Sequence, residues 1–390
     1  DWSLSGGSNL KDGINGFEVA ENNESWVNAI SCSGHYLGGS GWTCLTYYGN
    51  HTYRTTGSGS YTSAQNLMVR ANNQGYWNNL TNDGQHILTS DSDGNFFVSG
   101  VTGSQGDSLM GTGIQSNRHF IAKLNTSHQV EWVKQWSYSA GSGNPSISVD
   151  SSGNLYGCWS FRGSISVGGT HSLSSNMTSG YAFYVAQFNS STGNTNWATK
   201  AGGIPNSNGV DCHSISATDN GVLVTGEYNG SIYLGSNTLT DTVSVEHGFV
   251  SKLTSSGSWD WATEPVAQPS SAPYGNNMPI DEFTKIVAID NDSAYLVGTT
   301  KRGNLGFGNQ NMNWSYSWEG NGFQSTTYIA KLNPNQNWDW VKAIRGANGS
   351  AITDLDVDTI GDAYISGYTR STSLNIGGNS NATFGSTYYG

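Results

Sequence analysis

The chain has 390 residues, and its 16 Lys plus Arg against 28 Asp plus Glu give a net charge of −12. Only 11% of residues are charged; the polarity comes from 55 Ser, 34 Thr and 41 Asn alongside 52 Gly, while 14 Trp, 20 Tyr and 12 Phe supply enough apolar surface to exclude a disordered chain. So acidic a chain is a poor partner for phosphate backbones, and no apolar run approaches the roughly 18 residues of a membrane helix.

Taken from the N-terminus, the sequence opens at Asp1 without a signal-like segment, which leads us to expect a mature or trimmed product. Helical periodicity is nearly absent. Short runs rich in Val, Ile, Tyr and Phe alternate with Gly, Asn, Asp and Ser clusters, the signature of strands joined by turns. One strand motif is Asp, a Gly/Asn turn, then an apolar run ending near Gly, at 91–100, 150–159, 218–226, 290–298 and 358–367, with a degenerate copy at 20–29. A second motif is an aromatic or aliphatic pair, a small residue, a polar or basic residue, and a Trp downstream. It appears as Phe120–Leu124 with Trp132, Tyr184–Phe188 with Trp197, Phe249–Leu253 with Trp261, and Tyr328–Leu332 with Trp340. Leu67–Ala71 with Trp77 is a weaker copy. Four of the seven prolines fall in 264–280, which reads as one long exposed loop.

The last residues of the first motif, at 29, 100, 159, 226, 298 and 367, are spaced by 71, 59, 67, 72 and 69 residues. Each unit holds four strand-like runs, too long for most helical repeats, and four strands repeated radially describe a propeller blade. The spacing predicts an all-β protein: one six-bladed β-propeller domain of four-stranded antiparallel blades. The expected blades are 8–80, 81–140, 141–208, 209–277, 278–348 and 349–390, the last completed by residues 1–7 as its outer strand. That closure rests on Asp1-Trp2 matching Asp339-Trp340, and on Thr387-Tyr388-Tyr389 matching Thr327-Tyr328-Ile329. The variant is that the strand inserts into a neighbouring molecule and builds a filament.

The pairing of DSSGN at 150–154 with FIAKLN at 120–125 and a following Trp resembles the SBBP-type β-propeller repeats of bacterial and archaeal surface and secreted proteins. The resemblance covers nearly the whole chain and is strongest over 91–367. It implies a propeller fold and residence outside the cytoplasm, and it brings no common catalytic set.

The chemistry-bearing residues have sober explanations. One Trp per repeat (2, 77, 132, 197, 261 and 340) suits packing between blades better than a ring of sugar platforms. The turns at Asp91, Asp150 and Asp290 offer too few acids for calcium, which takes six to eight oxygens, and suit hairpin turns. Asp12, Asp83, Asn144, Asp211 and Asp281 precede the expected innermost strands. They could ring a channel mouth and hold a cation, but turn carboxylates accepting backbone N–H groups are the favoured reading. The eight His show no metal-ligand spacing, and no nucleophile elbow or cofactor motif occurs, so no metal, no cofactor and no catalytic residue is expected. A channel-centred glycoside hydrolase, using acids such as Glu18, Glu282, Asp354 and Asp356, is the minor alternative. The expectation is therefore a non-enzyme.

Two aromatic insertions interrupt the repeat. Residues 309–323 carry Trp314, Tyr316, Trp318 and Phe323, and residues 35–61 carry Trp42, Tyr47 and Tyr48 among others. Aromatics amid amides and hydroxyls suit glycan stacking or a protein contact, so these are the candidate ligand-binding residues. Four cysteines allow three pairings: Cys32 and Cys44 flank a Gly-rich, hairpin-like stretch, contact across blades is open to Cys158 and Cys212, and the even count without CxxC suits an oxidising compartment. The sequence thus points to an extracellular or surface adhesion propeller whose partner is a glycan or surface protein. A structural subunit that self-associates is the alternative, and neither nucleic acid nor membrane insertion is expected.

Overall fold

The computed structural model describes the strands between residues 11 and 88 as backbone. It describes residues 89–383 in greater detail, except 104–105, 110, 128, 139–144, 176, 178–179, 204–208, 241–245, 269–280, 301–303, 313–325, 347–349, 359, 370–372 and 378–379. Among these residues every regular element is a strand and every pairing is antiparallel. The chain forms two compact units, residues 1–133 with 387–390, and residues 134–386.

The first unit begins with a sheet of four strands, Lys11–Val19, Ser25–Cys32, Asn66–Ala71 and Trp77–Thr81. Between its second and third strands lies the first aromatic insertion, folded as a three-stranded sheet of its own: Gly34–Leu37, Gly41–Tyr48 and His51–Ser58. The second sheet comprises Gln85–Ser90, Phe96–Val101, Arg118–Leu124 and Val130–Ser137, and the unit boundary falls within its last strand. Gln85–Ser90 packs against the first sheet. Phe96, Val98, Phe120 and Leu124 form the core here with Leu109 and Ile114 of a small hairpin.

The second unit continues the same pattern. The third sheet is Ser146–Val149, Asn154–Phe161, Ala182–Asn189 and Thr195–Gly203; the fourth is Gly209–Thr218, Gly221–Asn229, Glu246–Thr254 and Trp259–Thr263. The fifth is Asp281–Ala288, Ala294–Thr300, Thr326–Leu332 and Trp338–Gly346. Each packs face to face on the next, which is the blade-on-blade arrangement of a β-propeller. Five four-stranded sheets are present. The sixth has two strands among the described residues, Ser350–Val357 and Ala363–Thr369, so the expected six complete blades become five and the start of another. The expected closing strand, residues 1–7, lies outside the described residues.

Period-two alternation explains why the central strands are apolar on both sides. In Gly221–Asn229, Val222 and Val224 join the core shared with the third sheet, and Leu223 joins the core shared with the fifth. Leu296 likewise faces the fourth sheet, while Tyr295 and Val297 face the sixth. Burying such a side chain contributes roughly 1.5–3 kcal/mol, so no sheet here is stable without its neighbours.

Three further devices join consecutive sheets. Cys158 on the third sheet is bonded to Cys212 on the fourth, closing 54 residues, worth about 4 kcal/mol in the chain-entropy model. Cys32 and Cys44 lie on strands of the first unit whose side chains are outside the description. Serines capture the free N–H groups of the next first strand. Ser146 and Ser148 Oγ accept from Ile215 and Ala217, and Ser214 and Ser216 Oγ accept from Ile286 and Ala288, at 2.9–3.3 Å. Finally, the hairpins that follow the second strands of the fourth, fifth and sixth sheets reach back. Ser231–Leu234 pairs with the end of the third sheet's last strand, Gly202 opposite Tyr233, and Ser373–Ile376 pairs with Ile344–Gly346 of the fifth. The stretch 264–280, expected as loop, supplies Val266–Gln268 to the same kind of pairing with Asn304–Phe307.

Candidate functional site

A bulge shapes the start of the fourth sheet's first strand. The ladder runs Asp211↔Glu227 and Cys212↔Gly226, then skips His213 and resumes at Ser214↔Thr225. The fifth and sixth sheets repeat the irregularity at Thr284 and Thr353, opposite Gly298 and Gly367. The glycines are required by close approach: a Cβ on Gly226, Gly298 or Gly367 would lie 1.9, 2.5 or 2.1 Å from the carbonyl oxygen of Asp211, Glu282 or Ala351. Bulges of this kind re-aim side chains, and here the re-aimed residue is a histidine.

The bulge puts Asp211 directly across from Glu227, and opposite residues have Cβ atoms about 4.5–5.5 Å apart. His213 Nε2 is 3.8 Å from Glu227 Oε1, and both side chains are about one-quarter exposed (26% and 23%). His213 Nδ1 lies 2.9 Å from the carbonyl oxygen of Phe283 on the fifth sheet. Ser160 of the third sheet donates its hydroxyl hydrogen to Asp211 Oδ1. Burial pushes the Glu227 carboxyl up to about 7; His213 opposes this, and Glu246, Glu282 and Asp211 add to it. One end of the fourth sheet therefore gathers four carboxyls and an imidazole, with one carboxyl poised between proton donor and acceptor near neutral pH.

The sequence-predicted residues separate into groups. Asp211 lies within a strand and takes a hydroxyl from the neighbouring sheet, which corrects its assignment to a turn binding backbone N–H groups. Of the other members of that series, Asp12 and Asp281 lie on strands, but their side chains, like those of Asp83 and Asn144, are outside the described residues. Glu282 joins the cluster around Glu227. Asp354 does not: it holds Lys285 at 2.8 Å, and Asp356 is exposed and accepts from the backbone of Val357. Glu18 lies on the first strand of the first sheet.

The Asp turns behave as turn chemistry predicts. Asp150 Oδ1 accepts from Ser152 N and Asn154 N, Asp290 Oδ1 from Asp292 N and Ser293 N, and Asp91 repeats the pattern. The repeat tryptophans include two that reach the next sheet, Trp197 Nε1 donating to Ser255 O and Trp261 Nε1 to Asp292 Oδ1. Trp314, Tyr316, Trp318 and Phe323 lie outside the described residues. Trp42, Tyr47 and Tyr48 fall on Gly41–Tyr48, opposite Tyr36 and Gly57, Thr52, and His51. Sequence reasoning missed Glu227, His213 and Glu246. Counting back from the Asp219-Asn220 turn places Tyr228 opposite Asp211, and only the bulge shifts the register to Glu227.

No protein-family model and no curated protein matches the chain, so the SBBP-type resemblance rests on its motifs alone. Among solved structures, the chain is similar to one from the GH130 family of mannoside phosphorylases, which contains glycoside hydrolases that target beta-1,2 mannosidic linkages in Candida mannan. Identity is 10% and the TM-score 0.28, over 84% of this chain and 85% of that one. It is also similar to the extracellular domain of a one-component system from B. thetaiotaomicron, at 8% identity and a TM-score of 0.25, over 97% and 67%. The presence of an enzyme family among these structures corrects the expectation of a non-enzyme. At these scores neither likeness assigns a residue or an activity.

Proposed function

We propose that this chain is a secreted or surface-borne propeller that recognises glycan at the end of the fourth sheet where Asp211, His213, Glu227, Glu246 and Glu282 gather. The observation that carries the reading is the bulge that sets Asp211 across from Glu227 and brings partly exposed His213 within 3.8 Å of it, and burial holds the Glu227 carboxyl up at about 7. Such a group both donates to and accepts from sugar hydroxyls, while its neighbours accept. The aromatic insertions with Trp314, Tyr316, Trp318 and Phe323, and with Trp42, Tyr47 and Tyr48, add stacking surfaces to the same proposal. The Cys158–Cys212 bond supports an oxidising, extracytoplasmic setting. A sixth blade begun by Ser350–Val357 and Ala363–Thr369 and completed by residues 1–7 belongs to this reading too.

A second reading, hydrolysis of a glycosidic bond, is favoured by the same carboxyl. A protonated acid beside ionised carboxylates is the pairing that glycoside cleavage uses. One experiment serves both readings: a glycan array followed by product analysis of every hit, on the native chain, Glu227→Gln and the Trp314/Trp318→Ala double variant. Hits lost in Glu227→Gln with the fold intact support recognition at the fourth sheet, and released saccharide supports hydrolysis. Hits that survive Glu227→Gln and vanish in the double variant move the site to the insertion. A blank array with the native chain ends the glycan reading.

A further inference from the structure

One pair of side chains on the fourth sheet, His213 and Glu227, reaches the fifth through the Phe283 carbonyl, and its chemistry is fixed by what each atom faces. His213 occupies the bulge, so the cross-strand ladder does not pair it. A backbone carbonyl oxygen only accepts, so the contact from His213 Nδ1 to Phe283 O requires the hydrogen on Nδ1. Nε2 is then the atom facing Glu227 Oε1. One proton on Nε2 or on the carboxyl makes that approach attractive. With none, a lone pair faces a carboxylate.

The charged surroundings press in one direction. Asp211 from the same strand, Glu246 from the third strand of that sheet and Glu282 from the fifth sheet all oppose ionisation of Glu227. The first three strands of the third sheet carry no charged side chain, and Lys200 on its fourth strand is bound to the Ser174 carbonyl. Lys285 is engaged by Asp354. His247 lies against the Tyr228 ring, and Glu264 takes the Tyr228 hydroxyl.

We propose that His213 and Glu227 share one proton as a pin between the fourth and fifth sheets, and that losing it releases His213 from Phe283 and loosens that seam. This stands independently of what the site binds. Because burial raises the folded carboxyl from 4.5 to about 7, the folded chain holds the proton more tightly than the unfolded one. The stabilisation is therefore complete below about pH 4.5 and is lost as pH rises through about 7.

Hydrogen exchange of the whole chain, corrected for intrinsic rate and followed by mass spectrometry between pH 5.5 and 8.5, tests this. Peptides spanning 209–218 and 281–288 are expected to lose about fivefold or more of their protection at alkaline pH, while 182–189 in the third sheet keeps its own. In Glu227→Gln and His213→Asn, the latter keeping an amide donor for Phe283 O, the profile should be flat. Equal loss in Glu227→Gln, or none in the native chain, overturns the proposal. Imidazole NMR on the native chain decides without any variant: at pH 5.5 to 6 the hydrogen on Nδ1 that Phe283 O requires is expected, and an imidazole protonated on Nε2 alone overturns the proposal.

Discussion

The fifth and sixth sheets begin with nearly the same second strand, Ala294-Tyr295-Leu296-Val297-Gly298 and Ala363-Tyr364-Ile365-Ser366-Gly367, in equivalent registers to their first strands. Their surroundings differ. Leu296 is 0% exposed and Tyr295 8%, whereas Ile365 is 38% and Tyr364 61% exposed. In the fifth sheet a third strand, Thr326–Leu332, pairs along the far edge, and the fourth and sixth sheets cover the two faces. The sixth has one pairing partner among the described residues. An apolar motif thus specifies a strand but not its burial; burial is conferred by the strands and sheets around it.

The largest effect that separates the two sheets is truncation of the matched aliphatic residue. Leu296→Ala should cost about 2–5 kcal/mol in urea unfolding, and Ile365→Ala less than about 1 kcal/mol. Comparable losses would mean that Ile365 is covered in solution, as a completed sixth blade would require.

The bulge sharpens the comparison by predicting a likeness. Gly298→Ala and Gly367→Ala should each cost roughly 1–3 kcal/mol, because both Cβ atoms would meet a first-strand carbonyl regardless of outer strands. A neutral Gly367→Ala would show that the sixth sheet yields where the fifth does not.

The smallest effect concerns the joint between them. Where the third and fourth sheets use Ser146 and Ser214 to capture a backbone N–H, the fifth has Lys285, paired with Asp354. Lys285 is about one-third exposed, so Lys285→Gln should cost only about 0.2–1 kcal/mol, and the difference should vanish in high salt.

Much of this was legible in the sequence, and the reason is local. The Asp turns are set by neighbours a few residues away, so five sheets could be placed from punctuation alone. The reach-back hairpins were not, since strands as short as Ser231–Leu234 find their partner in another sheet. The gathering at His213 was hidden for a sharper reason. A shift of one residue exchanges every side chain between faces, and only the ladder reveals the residue that is skipped. Glu227 reads as an ordinary strand-end acid until that shift is known.

The serine contacts between first strands have a consequence for how such a chain came to be. Ser214 extends its hydroxyl to Ile286 N, while the very next residue, Ile215, offers its own N–H to Ser146. Plug and socket are adjacent on one strand, and they point to opposite neighbours. A copied unit therefore arrives already fitted to its parent on either side, a head-to-tail joint that tolerates tandem duplication without compensating change. Lengthening the array requires only recopying, and Lys285 with Asp354 shows that a joint can also be rebuilt with a different pair of side chains.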